Sequence, residues 1–277
     1  MKKIFFAAFC AIVALTATSC SEEEGLMPGN DKNPAVTLYL YDTPAEYDGD
    51  CDAYFGLFSN NQATDIYYLA ELTSEKESHV ASMGEDGYVD YIIQNGTKVS
   101  ANVDAPAYVV LTSVFGDQTI SAVASNGKKK SDKAHSVQFN GVQWNTVCKG
   151  TYTRPAGKTY TKILGEEQET ELQVLSTDPT SYRFKNLYGP NKHMYFTYTG
   201  DAYDEDGGVF CRVPAQSTNH TYSTYGNMSV RDVATWQSDD SYLDVALYPD
   251  GYWFAWVQYY VAAGSLSYGY DEFIPAE

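Results

Sequence analysis

The stretch YLDVALYPDGYWFAWVQYYV spans residues 242–261. Pro249-Asp250-Gly251 sits at its centre. Proline presets φ, aspartate bonds its own backbone and glycine accepts a positive φ, so the trio reads as a tight turn. After it, one parity holds Trp253, Ala255, Val257, Tyr259 and Val261; the other holds Tyr252, Phe254, Trp256, Gln258 and Tyr260. Before it, Leu243, Val245 and Leu247 form the apolar parity, and Asp244, Ala246 and Tyr248 the other. A period of two on both sides of a turn predicts a β-hairpin. The more aliphatic parity is assigned to a core. The second face then presents Tyr252, Phe254, Trp256 and Tyr260 as candidate ligand-binding residues, because flat rings stack on the apolar faces of sugars. The competing reading buries this face too, since large exposed apolar patches are uncommon.

Working outward, the same short alternations recur. VTLYLY (36–41), AYFGLF (53–58), DIYYLAEL (65–72), APAYVVLTSVFG (105–116) and TISAVAS (119–125) read as strands. SEKESHVASMGEDGYVDYIIQNG interrupts them, and the Ser74-x-x-Glu77 pattern at its head predicts one or two short helices within 74–95. NGKKKSDKAH (126–135) is polar and basic, and 128–136 is assigned as a linker or exposed loop. Strands return with VQFNGVQWNTVCKGTYTR and continue through TELQVLS (170–176), SYRFKNLYG (181–189), HMYFTYTG (193–200), GGVFCRVPAQ (207–216) and YGNMSVRDVATW (225–236). The fold class is therefore all-β, with two β-sandwich-like domains, the second a sandwich or barrel-like. The first occupies 35–127 and the second 137–277.

The N-terminus carries an address. Met1-Lys2-Lys3 precedes IFFAAFCAIVAL, an apolar run too short to cross a bilayer comfortably. Ala17-Thr18-Ser19-Cys20 resembles a bacterial lipobox. That resemblance implies a signal peptide over 1–19 and lipidation at Cys20, an anchor that becomes stable with more than one acyl chain. Ser21-Glu22-Glu23-Glu24 resembles the acidic export tag of Bacteroidetes surface lipoproteins, and residues 20–34 read as an acidic, flexible tether. The segments WNTVCKGTY, YRFKNLYG, VPAQST, YGNMSVRDV and YYVAAGSLSYGYDEF look like those of Bacteroidetes outer-membrane or surface lipoproteins. In that group a fibronectin III/immunoglobulin-like domain precedes an all-β C-terminal domain. The resemblance covers most of 35–277. It implies fold, an outer-membrane, lipid-anchored, surface-exposed address, and glycan handling. It supplies no site residues.

Composition narrows the partners. The chain has 277 residues and a formal charge of −18, a field that repels nucleic acid. Tyrosine occurs 25 times and aromatics make up 15% of the chain, most of them assigned to sheet packing. Once Cys10 leaves with the signal and Cys20 is lipidated, Cys51, Cys148 and Cys211 allow at most one disulfide. Buried free thiols are the favoured state. There is no G-x-S-x-G elbow, and His79, His135, His193 and His220 lack a neighbour pattern for a base. DGDCD places Asp48, Asp50 and Asp52 at alternate positions, but the sixth position is Ala53 and the twelfth Ser59, unlike an EF-hand. DAYDEDGG gathers Asp201, Asp204, Glu205 and Asp206, read as a solvated turn in so acidic a chain. No metal and no cofactor is assigned. The functional reading is a non-catalytic surface lipoprotein that binds polysaccharide or assists glycan uptake. Its alternatives are a structural or protein-interaction subunit of an outer-membrane complex, and a glycan-cleaving enzyme.

Overall fold

The computed structural model describes residues 32–233 and 245–276. The protein is all-β. In the N-terminal unit β1 (Val36–Tyr41), β2 (Ala53–Ser59) and β5 (Ala107–Leu111) form one sheet in the order β1-β2-β5. β3 (Asp65–Leu72), β4 (Thr97–Ser100), β6 (Gly116–Ser125) and β7 (His135–Gly141) form the other, in the order β4-β3-β6-β7. Leu38, Phe55 and Leu57 of the first meet Ile66, Ile120 and Ala122 of the second, which is the core of a three-on-four sandwich. Helix α1 (Thr73–Asn95) covers the outer face of the second sheet through Tyr88, Val89 and Ile92. Gly84 breaks it at φ 71°, so of the one or two helices expected it is two helical pieces in succession. The expected Ser74–Glu77 cap does not form; the Leu72 N–H instead donates to the Glu75 carboxylate at 3.3 Å.

The domain boundary needs correction. β7 pairs with β6 from Ala122↔His135 to Gly116↔Gly141, so it is the seventh strand of the sandwich. Residues 128–136 therefore form the β6–β7 connection and the start of β7, and the second unit begins at Trp144 rather than at 137. The punctuation lies at Gly141, where any Cβ would overlap the Val114 carbonyl. Sequence alternation ran through that glycine because both flanking segments are strands.

The C-terminal unit closes on itself. Its elements are β8 (Trp144–Thr153), α2 (Thr161–Leu164), β9 (Glu167–Leu175), β10 (Asp178–Phe184), β11 (Met194–Ala202), β12 (Val209–Arg212), β13 (Gln216–Thr221), β14 (Asn227–Asp232), β15 (Val245–Leu247), β16 (Trp253–Val261) and β17 (Gly264–Pro275). Neighbours pair antiparallel from β8 through β9, β10, β11 and β12 to β15, β16 and β17, and β17 pairs again with β8. β13 continues the line of β12 past Pro214. β14 pairs with β13 and with the far half of β16, so β14 and β15 share one line. Among the described residues this makes an eight-line barrel. Where Pro214 interrupts the ladder, the buried Asp232 carboxylate accepts from the Val213 N–H at 2.7 Å and from Arg212 at 2.9 and 3.1 Å.

Eight strands leave an interior that side chains can fill. Phe184 lies at its centre, with ring centroids 5.0 Å from Trp253, 5.0 Å from Phe273, 5.1 Å from Tyr152 and 5.3 Å from Phe196. Trp253, Ala255, Val257, Tyr259 and Val261 all belong to this core, the parity the sequence assigned to it. The turn is also as expected: the Gly251 N–H donates to the Tyr248 carbonyl, and Gly251 takes φ 91°. Leu243 and Asp244 lie outside the described residues. Cys51, Cys148 and Cys211 are free thiols. Burial raises all three, Cys51 to about 11 and Cys211 to about 12.

One carboxylate is sealed inside the barrel. Asp271 accepts from the hydroxyls of Tyr259 at 2.7 Å, Tyr152 at 3.0 Å and Tyr160 at 3.5 Å. Tyr160 is delivered by the loop before α2 and stacks on Tyr259 at 4.0 Å. Its hydroxyl occupies the space a Cβ at Gly269 would take. Burial pushes the Asp271 carboxyl up to about 6, against the opposing charge of Arg154 and the three phenolic bonds. A carboxyl that titrates higher folded than unfolded binds its proton more tightly in the native state, so its contribution falls as pH rises from about 4 to 6. The unfolding free energy of the wild type minus that of Asp271→Asn should therefore drop by roughly 2–3 kcal/mol between pH 4 and 7. Urea titrations across that range would show it, and a pH-independent difference would contradict the assignment.

The two units are clamped by one arginine. Arg183, on the outer wall of β10 and only 1% exposed, donates to Asp50, to Asp48 at 3.1 Å and to Gln173 at 2.8 Å. Its guanidinium lies 4.6 Å from the Trp144 ring centroid. Lys185 adds a contact to Asp48 at 3.0 Å, and Asn191 bonds Gly49 at 3.1 Å. Removing one partner of a buried pair strands the others. Arg183→Ala should cost about 3 kcal/mol of unfolding free energy, and adding Asp48→Asn with Asp50→Asn should recover part of that loss. A loss below 1 kcal/mol would refute the clamp.

Candidate aromatic site on the barrel wall

A closed barrel turns the second parity of β16 outward. Trp256 is opposite Tyr270 of β17, Phe254 opposite Glu272 and Gln258 opposite Tyr268. Rings cover this wall. Phe254 stacks on Tyr270 at 5.3 Å with a 21° interplanar angle, and Trp256 lies 5.7 Å from the same ring. Tyr252 is 6.0 Å from Phe254 and 5.8 Å from Tyr248, while Tyr203 closes on Phe254 at 5.5 Å. Tyr270 is the most open, 40% exposed, and Trp256 and Tyr252 are half-buried.

Polar groups rim the row. The Tyr252 hydroxyl donates to Glu272 at 2.6 Å, and the Tyr248 hydroxyl donates to Asp204. Both phenols are raised above their usual range, Tyr252 by burial and then by its carboxylate partner, Tyr248 chiefly by its hydrogen bond to Asp204. At the other end Arg231 donates to Gln258 at 2.9 Å, and Gln258, itself buried, donates to Tyr268 at 3.0 Å, so Arg231 and Tyr268 are the half-exposed groups there. The wall therefore offers ring faces with hydrogen-bonding groups at both ends, the two things a sugar needs.

Of the four ring residues singled out by sequence, all are on the outer parity, but they are not equivalent. Trp256 and Tyr252 belong to the accessible row. Phe254 is only 7% exposed beneath Tyr203 and Tyr270, so it is the floor of the row rather than a stacking face. The face of Tyr260 is taken by the Arg231 guanidinium at 4.5 Å. Sequence reasoning missed Tyr270 and Glu272. They arrive from β17, whose register with β16 carries no local sequence signal.

The other candidate constellations resolve into scaffold. The carboxylates of Asp48 and Asp50, with His193, offer ligand atoms within 4.8 Å of one another. Arg183 pairs with both acids and Lys185 with Asp48, while burial raises the Asp50 carboxyl against the opposing Arg183 charge. Burial opposes ionisation of Asp48, but the Lys185 hydrogen bond and the Arg183 charge outweigh it and lower its pKa. Burial and the Arg183 charge hold His193 down to about 3, and its Nδ1 accepts the Asn186 N–H at 2.9 Å. Asp52 accepts the Asp48 and Ser113 amides, so it ties the loop together. Asp204 accepts the amides of Asp206 and Gly208, which shapes the β11–β12 turn. His79 contacts Glu71 at 2.7 Å, and Glu71 accepts from Tyr88 at 2.5 Å beneath α1. His135 accepts the Leu38 N–H, and His220 bonds the Thr218 carbonyl.

Comparison with known proteins finds no family model, no characterised protein and no solved structure that matches this chain.

Proposed function

We propose that this chain is a non-catalytic, lipid-anchored surface lipoprotein that binds neutral polysaccharide on the aromatic wall of its barrel. The observation that carries the reading is the outward row of Tyr252, Trp256 and Tyr270 over buried Phe254, rimmed by Glu272 and Tyr268. A chain of net charge −18 favours an uncharged ligand over an acidic one. One observation weighs against the glycan-cleaving alternative: Asp271, whose pKa is raised as a general acid's would be, is sealed inside the barrel. The anchor is assigned to Cys20, and the likeness to Bacteroidetes surface lipoproteins supports an outer-membrane address. Cys20 and its tether lie outside the described residues. No helix among the described residues is long and apolar enough to cross a membrane.

The test is calorimetric. Full-length protein in a non-glycosidic detergent is titrated with neutral polysaccharides, alongside Trp256→Ala and Tyr270→Ala. Saturable binding that weakens roughly tenfold in each variant, with the unfolding midpoint retained, is expected from the loss of one stacking ring. Binding to none of the glycans would overturn the reading and favour the docking alternative. Independently, Cys20→Ser should move the protein from the membrane to the soluble fraction.

A further inference from the structure

A second aromatic floor lies on the N-terminal unit, on the outer face of β1-β2-β5. Tyr54 of β2 stacks on Tyr108 of β5 at 5.8 Å with a 29° interplanar angle. Tyr41 of β1 approaches both, at 5.9 Å each, and Phe58 meets Tyr108 at 6.3 Å. Gly56 makes this possible. A Cβ there would lie 2.9 Å from Phe58, 3.0 Å from Tyr41 and 3.1 Å from Tyr108. Without a side chain at Gly56, three rings converge over the sheet backbone. Tyr108 is 54% exposed and Tyr41 38%. Buried packing does not account for rings this open.

The floor runs into a groove of about 560 Å³ between the two units. Tyr41 and Tyr54 line it from one side, Asn191 and Lys192 from the other, and Asp42 and Asp50 add carboxylates. Asp42 and Lys192 are exposed, so the groove presents an acceptor and a donor beside open ring faces. The Arg183 clamp fixes the two walls relative to each other. Rings for C–H faces and mixed donors and acceptors for hydroxyls are the features of a sugar site. A flat apolar face alone would suit protein docking equally. The adjoining polar groove and the uncharged character expected of the ligand favour a glycan.

We infer that Tyr54 and Tyr108, with the groove beside Asp42 and Lys192, form a second binding site for neutral oligosaccharide. This rests on the glycan-binding reading but not on the barrel wall. Arg183 holds this unit against β10, whereas the first row is on β16 and β17, on the other side of the closed ring. One short oligosaccharide cannot reach both sites. A long polysaccharide engaging both would gain affinity through effective concentration rather than through new contacts.

The experiment counts sites. Cellohexaose, xylohexaose and maltohexaose are titrated calorimetrically into the full-length protein in a non-glycosidic detergent. Trp256→Ala, Tyr108→Ala, Tyr108→Phe and Gly56→Ala are run in parallel, with unfolding midpoints checked for each. Two sites per chain are expected for a hexasaccharide that binds, falling to one in Tyr108→Ala and remaining two in Tyr108→Phe, which keeps the ring. Gly56→Ala, whose methyl forces the rings apart, should weaken the same site even if Tyr108→Ala folds poorly. A single site abolished by Trp256→Ala and untouched by Tyr108→Ala and Gly56→Ala overturns this inference and leaves the barrel site standing. A single site abolished by Tyr108→Ala does the reverse. No binding to any of the three overturns both.

Discussion

Strand β17 is the constraint on which the C-terminal unit depends. It is twelve residues long, and it pairs along β16 on one edge and with the end of β8 on the other. That double pairing removes both edges of what would otherwise be an open, ten-strand sheet, and with them the liability of exposed ladder groups. It also divides every strand into an inside and an outside. The inside is committed to Phe184, Trp253 and their neighbours. The outside of the same strands becomes wall, and the aromatic residues that do not fit within are displayed on it.

Positive charge is scarce in this chain, and its four arginines are all spent on internal order. Arg154 faces the sealed Asp271, Arg183 clamps the units, Arg212 braces Asp232 at the Pro214 break, and Arg231 covers Tyr260. Each guanidinium can stack and make several directed bonds at once, which an ammonium cannot. The lysines pair at the surface, as Lys98 with Asp65 and Lys130 with Asp90. The protein's outer field is thus left to its carboxylates, while buried carboxylates in the C-terminal unit and at the clamp are met by arginine.

Local pattern carried the reading of the sequence as far as local pattern reaches. The parity of 253–261, the turn at Pro249–Gly251 and a helical segment within 74–95 are set by neighbours within a few residues, and each was legible; the break at Gly84 was not singled out. The closing of the barrel was not, because the choice between sandwich and barrel rests on whether residues 272–275 meet 150–153, some 120 positions away. The boundary at Gly141 was missed for a similar reason: the glycine is required by Val114, not by its own strand. In the aromatic row, Trp256 and Tyr252 were visible as one strand's face. Tyr270 and Glu272 join them only through register, and the Tyr54–Tyr108 floor depends on pairing between β2 and β5. Sequence could propose rings; only topology could assemble them.

The three free thiols, Cys211 buried and Cys51 and Cys148 half-buried, have a consequence for the protein's redox chemistry. A cysteine held at about 11 is ionised in roughly one molecule in ten thousand at neutral pH, and the thiolate is the form that attacks disulfides and peroxides. Cys51, Cys148 and Cys211 are therefore poor substrates for oxidant and for mixed-disulfide exchange alike. Among the described residues no disulfide links one strand to another. The rigidity of the C-terminal unit comes from a closed ring of strands instead of from sulfur.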